Sequence, residues 1–143
     1  MLLQLSIGSL IILLSMAVIV AFICVAMSML KTIERRLNQV VMSTRHFFAT
    51  MSAAALLVLA ANTVCVWIWA GFFKALGVFE SFEEALYFSL VSFTTVGYGD
   101  VVVREDWRIT SGFVAVNGLL AFGVFTAFLM EVVRNLSTRW DGR

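Results

Sequence analysis

The stretch of this chain best suited to chemistry is Thr94-Thr95-Val96-Gly97-Tyr98-Gly99-Asp100, where the backbone rather than the side chains is the reactive part. A cation that sheds its water must find other oxygens at little net cost, and backbone carbonyls can supply them if successive ones point at one axis. Such an arrangement needs unusual dihedrals at alternate positions. Gly97 and Gly99 permit them, having no side chain to clash. Taken alone, Gly-Tyr-Gly is equally a glycine turn after a helix, so the surrounding elements must decide between the two.

Other chemistries find no support. There is no phosphate-cradling loop, no HExxH pair and no Ser/His/Asp set, so no enzyme is expected. Cys24 and Cys65 lie in different apolar runs without a CxxC partner and read as buried thiols. His46, between Arg45 and two phenylalanines, has no clustered ligands and reads as a membrane-interface residue rather than a metal ligand. A formal net charge of +1 with no dense Lys/Arg patch argues against nucleic acid as a partner. Neither a resident metal nor a cofactor is expected.

The chain is 62% hydrophobic and 13% charged, whereas soluble domains carry about a quarter charged residues, so a bilayer is the expected solvent. Met1–Leu30, Phe47–Phe73 and Ile109–Met130 contain no charged side chain. Each exceeds the ~20 residues that cross a bilayer as a helix, so an all-α membrane protein with three spans is predicted. The first run lacks a basic start and is too long for a signal core, so it reads as a retained helix. A fourth uncharged stretch, Ala85–Gly99, is too short to cross and is predicted to enter the membrane and return on the same side.

Charge sets the orientation. The linker after the first span carries Lys31, Arg35, Arg36 and Arg45 against Glu34, a net of +3. The tail carries a net of +1, and the segments flanking the short dip a net of −3. Positive segments stay in the cytoplasm, which puts the N-terminus and the dip outside and the C-terminus inside. Ile33, Leu37, Val40, Val41 and Phe48 recur at helical spacing in the linker, so residues 31–46 form either a helix on the inner membrane surface or an extension of the neighbouring spans.

The dip opens with Ser81-Phe82-Glu83-Glu84, a capping box, and its helix is predicted over 82–93. The partial negative charge at its C-terminal end favours a cation there. Thr95–Gly99, which follows, is identical to the TVGYG signature of potassium channel filters. From about Ser81 to Val133 the chain resembles the potassium channel family, and in particular small bacterial members with an extra helix ahead of the two pore helices. The resemblance implies an outer helix over 47–73, a filter over 95–99 and an inner helix over 108–133, with residues 1–30 as the additional helix. It also implies a homotetramer in which the carbonyls of Thr95, Val96, Gly97 and Tyr98, with the Thr95 hydroxyl, bind potassium ions. Val96 and Tyr98 would wedge the filter open. Gly99 closes the filter, and Tyr87, Val91, Thr94 and Asp100 fall at positions behind or beside it. Members of the family often carry two tryptophans that hold the filter tyrosine and the following aspartate. Here Tyr87 and Phe88 stand in those places, and only Tyr87 can donate, which implies a bond from Tyr87 to Asp100. Val91 stands where some members carry an acid.

In the third span, Leu119, Phe122, Thr126 and Met130 share one helical face and resemble the family's cavity lining. Asn117 is a candidate for tuning the cavity below the filter. Gly118 is the first candidate for a hinge, and close helix packing is the equal alternative. No row of spaced arginines marks a voltage sensor, and the ten residues after Val133 are too few for a ligand-sensing domain.

Together these readings predict a potassium-selective channel subunit of the cell (plasma or inner) membrane, with itself, membrane lipids and potassium ions as partners. The alternatives are a weakly selective cation channel and an accessory membrane protein with a nonconducting pore.

Overall fold

The computed structural model describes residues 2–36 and 44–141. Four α-helices account for most of them: α1 (Leu2–Arg36), α2 (Thr44–Ala75), α3 (Phe82–Phe93) and α4 (Arg108–Asp141), the last preceded by a 3-10 turn at Glu105–Trp107. Three of the helices, α1, α2 and α4, are long and apolar enough to cross a membrane.

These helices run past the apolar stretches that announce them. Helix α1 continues to Arg36 rather than ending near Leu30, and α4 reaches Asp141 rather than stopping at 133. Lys, Glu and Arg are good helix formers, and no proline interrupts the chain, so leaving the bilayer does not end the helix. The first part of the basic linker is thus an extension of α1, while residues 37–43 of that linker lie outside the described residues.

Helix α2 ends in a Schellman motif. The Val78 N–H donates to the Phe73 carbonyl at 3.0 Å and the Gly77 N–H to the Lys74 carbonyl at 3.1 Å. Gly77 takes the left-handed φ of 64° that this closure requires. Lys74 lies in the last turn, where a cation complements the helix dipole. A short connection then leads to α3, whose N-cap Ser81 accepts a hydrogen bond from the Glu84 N–H at 3.0 Å.

Two groups of buried side chains hold the helices together. Around the junction of α2 and α3, Trp69, Phe73, Phe79 and Phe88 form a continuous aromatic cluster, with Phe73 and Phe88 centroids 5.5 Å apart and edge-on, and Phe79 and Phe88 5.1 Å apart. Toward the opposite end, Ala26 of α1 and Ala54 of α2 meet Phe128, Val132 and Leu136 of α4. Lipid tails are as apolar as these side chains, so close packing rather than water exclusion is what favours the contacts. Small residues on α1 and α2 let α4 approach.

Candidate functional site

Helix α3 positions the site. Its twelve residues rise about 18 Å. Its last residue, Phe93, lies against Gly118, ten residues or about 15 Å along α4, which is close to half the thickness of a ~30 Å hydrocarbon core. The contact is backbone to backbone. The Phe93 carbonyl oxygen occupies the space that a Cβ on residue 118 would fill, and the Phe93 carbonyl carbon would lie 2.8 Å from it. Of the two roles the sequence leaves open for Gly118, close packing is the one this contact supplies, within an unbroken helix.

The chain then turns sharply. Thr94 caps α3, with its N–H on the Leu90 carbonyl at 3.0 Å and its hydroxyl on the same oxygen at 2.8 Å. The Thr95 N–H reaches the Ser92 carbonyl at 3.0 Å, and the Val91 carbonyl takes both the Val96 N–H at 3.0 Å and the Gly97 N–H at 3.3 Å. Val91 therefore supports the turn through its backbone.

Beyond the turn every second residue is left-handed: Thr95 has φ 60°, Gly97 58° and Gly99 78°. Alternating the hand of successive residues brings their carbonyls to one side of the strand instead of opposite sides. Gly97 and Gly99 adopt this at no steric cost. Thr95 does not, since a β-branched residue at positive φ is an outlier, and such strain gathers at functional sites. The sequence drew attention to the two glycines and missed the strain at Thr95. The one available signal was its two-residue spacing from Gly97. Residues 95–100 are all exposed on the single chain, with Tyr98 at 73%.

Asp100 closes the site. The Tyr87 hydroxyl donates to Asp100 Oδ2 at 2.6 Å, and the Val101 N–H donates to Oδ1 at 3.0 Å. The Tyr87 donor holds the Asp100 carboxyl below the usual aspartate range. Phe88, next to Tyr87, makes no hydrogen bond to Asp100 and is buried among Phe73 and Phe79.

On α4, Leu119, Phe122, Thr126 and Met130 are all exposed on one face. Val114, Ala121, Phe125 and Val132 are buried on the other. Asn117 belongs to the buried face, which corrects its assignment to the cavity. It is fully covered by its own chain, and neither amide atom has a hydrogen-bond partner. One residue of rotation, about 100°, separates it from Gly118, and the contact of Gly118 with α3 turns Asn117 inward. Among the described residues, no group of His, Cys, Asp or Glu is placed to hold a metal ion.

Comparison with known proteins agrees with this geometry. The family described as "Ion channel" matches residues 53–135, which is more than half of the chain and takes in most of α2, all of α3, the alternating strand and most of α4. No curated protein and no solved structure matches the chain. Membrane-crossing helices flank a re-entrant one that ends in a strand of alternating hand, within a matching family domain: the chain is a multi-pass membrane protein and belongs to the ion channel family.

Proposed function

We propose that this chain is the pore-forming subunit of a potassium-selective channel and that four copies surround one conduction path. One observation carries the reading. The left-handed residues 95, 97 and 99 fall within a sequence identical to the TVGYG filter signature, at the end of a capped helix of re-entrant length. In this reading the carbonyls of Thr95, Val96, Gly97 and Tyr98 and the Thr95 hydroxyl replace the water shell of potassium, and transport is passive. Potassium is the permeant ion, and no cofactor takes part.

A single chain contributes one strand, so a ring of oxygens needs further copies. The exposure of Val96 and Tyr98 supports assembly, because side chains that wedge a filter open need something to press against. An apolar groove of about 400 Å³ between α2, α3 and α4, lined by Leu59, Val66, Trp67, Leu90 and Phe122, fits a neighbouring inner helix. Of the exposed stripe, Leu119, Thr126 and Met130 would face the cavity, and Phe122 would lie where the stripe meets the groove. The basic linker would be cytoplasmic and the filter mouth external.

The test is a bilayer recording of the purified protein with potassium and sodium on opposite sides. The expected reversal potential follows the potassium gradient, barium blocks, and Gly97→Ala abolishes the selective current. Equal permeability of the two ions would instead assign a weakly selective cation channel, and absence of flux a nonconducting pore.

A further inference from the structure

The family match begins at residue 53 and leaves α1 outside, yet α1 is bound to the segment that carries the filter into α4. Gln4, in the first turn of α1, donates its Nε2 amide hydrogen to the backbone carbonyl of Asp106. Its Oε1 is buried without a hydrogen-bond partner, and Gln4 as a whole is half-buried against the protein. One turn further on, Gly8 receives the ring of Phe113. A Cβ at residue 8 would lie 2.7–3.0 Å from three ring carbons, so any side chain there would displace the ring. Deeper still, the Cys65 thiol of α2 approaches the Ser15 carbonyl at 3.9 Å, and α1 keeps this seat between its two neighbours.

The segment from Asp100 to Trp107 is held at four places. Asp100 is tied to Tyr87, Arg104 Nη2 reaches the Gly77 carbonyl at 3.4 Å, Trp107 stacks edge-on against Phe72 at 5.8 Å, and Asp106 is tied to Gln4. Three of these ties come from the matched domain and one from α1. Short polar ties to a backbone carbonyl matter in this setting because an unpaired amide in an apolar surround is costly.

We infer that α1 is a working part of the pore, with Gln4 and Gly8 as positioning residues that hold the filter-to-α4 segment in register. The N-terminal helix thereby sets how long the filter stays in its conducting form. This rests on the proposed function for its electrical readout, although the contacts themselves stand without it.

The experiment uses the full chain in liposomes, with Gln4→Leu, Gln4→Glu and Gly8→Leu, and the double variant Gly8→Leu with Phe113→Ala. Glu keeps the size of Gln and removes the donor. Decay of current in low external potassium is expected to be several-fold faster in all three single variants. In the double variant it is expected to stay near wild type, because removing the ring leaves room for the introduced leucine. In a Cys24→Ser background, a cysteine replacing the exposed Val102 is expected to react several-fold faster with a polar thiol reagent when Gln4 is changed. Cys65 is buried and silent. Wild-type decay and wild-type labelling in a properly assembled Gln4→Glu channel would overturn the inference. Loss of current in the wild type itself would count against the proposed function instead, and the labelling arm would still decide the role of α1. Should Gly8→Leu fail to assemble, the decay and labelling of Gln4→Glu decide the matter alone.

Discussion

The carbonyl oxygen of Phe93 sits where residue 118 would carry its side chain. The last residue of α3 and the tenth after the start of α4 are therefore joined backbone to backbone, and the strand that begins two residues later inherits its depth from that contact. No free space is left, and the obstacle is a main-chain atom that cannot rotate aside.

Gly118→Ala should consequently be among the most damaging single-methyl additions in the chain. Overpacking costs about 1–3 kcal/mol where side chains can adjust, and a main-chain carbonyl adjusts less. We expect a lower melting temperature of the assembled protein and loss of selective current. Gly71→Ala is the control: nothing lies within 4 Å of its added methyl, and alanine favours a helix interior by about 1 kcal/mol over glycine. Equal thermal stability of the two variants would contradict the packing role of Gly118.

Tyr87 and Asp100 supply a pH prediction. Hydrogen bonding from Tyr87 depresses the Asp100 pKa, so the tie is intact above the ordinary aspartate range of about 3.9 and is lost only as pH falls through the lower folded value. Acidifying the filter side from pH 7 to about 5 should therefore leave current decay unchanged. Tyr87→Phe should speed decay several-fold at every pH in that range. Strong acceleration of the wild type at pH 5 would place the sensitive group elsewhere.

Val102 is 69% exposed, two residues beyond Asp100. In a ring of copies it offers no aromatic face to a quaternary ammonium ion. External tetraethylammonium should block weakly, and Val102→Tyr should tighten block about tenfold or more. Dose–response curves on both proteins decide it, and tight block of the wild type would show that Val102 does not face the mouth.

The joining of Gln4 to Asp106 puts the N-terminus on the same side as the segment that follows Asp100. In the proposed orientation, with the positive linker cytoplasmic, a cysteine at Glu105 should react only with reagent added outside, and one at Gln39 only with reagent added to the cytoplasmic face. Reversed labelling would invert the whole assignment.

Much of this molecule was legible in one dimension because its signals are local. Uncharged runs beyond ~20 residues announced α1, α2 and α4, and Ser81 and Glu84 marked the start of α3, while the Tyr87–Asp100 bond was implied only by the resemblance to potassium channels. The left-handed turns at 97 and 99 were readable because glycine is a backbone instruction written in the sequence. Which side of each spanning helix meets protein was not readable. In water the apolar face of a helix is the buried one, but in a bilayer both the lipid-facing and the protein-facing sides are apolar, so periodicity loses its meaning. Asn117 therefore reads as a cavity residue in one dimension and lies against its own chain in three, while Gly8 and Gln4 look like ordinary members of a hydrophobic run. The positive φ of Thr95 also came only with the fold, since no threonine adopts it unaided and the bonds from residues 95, 96 and 97 back to Ser92 and Val91 must hold it there. Composition and local spacing determined what the segments are. Close approach of backbones, which depends on where small residues of distant segments coincide, decided how they meet.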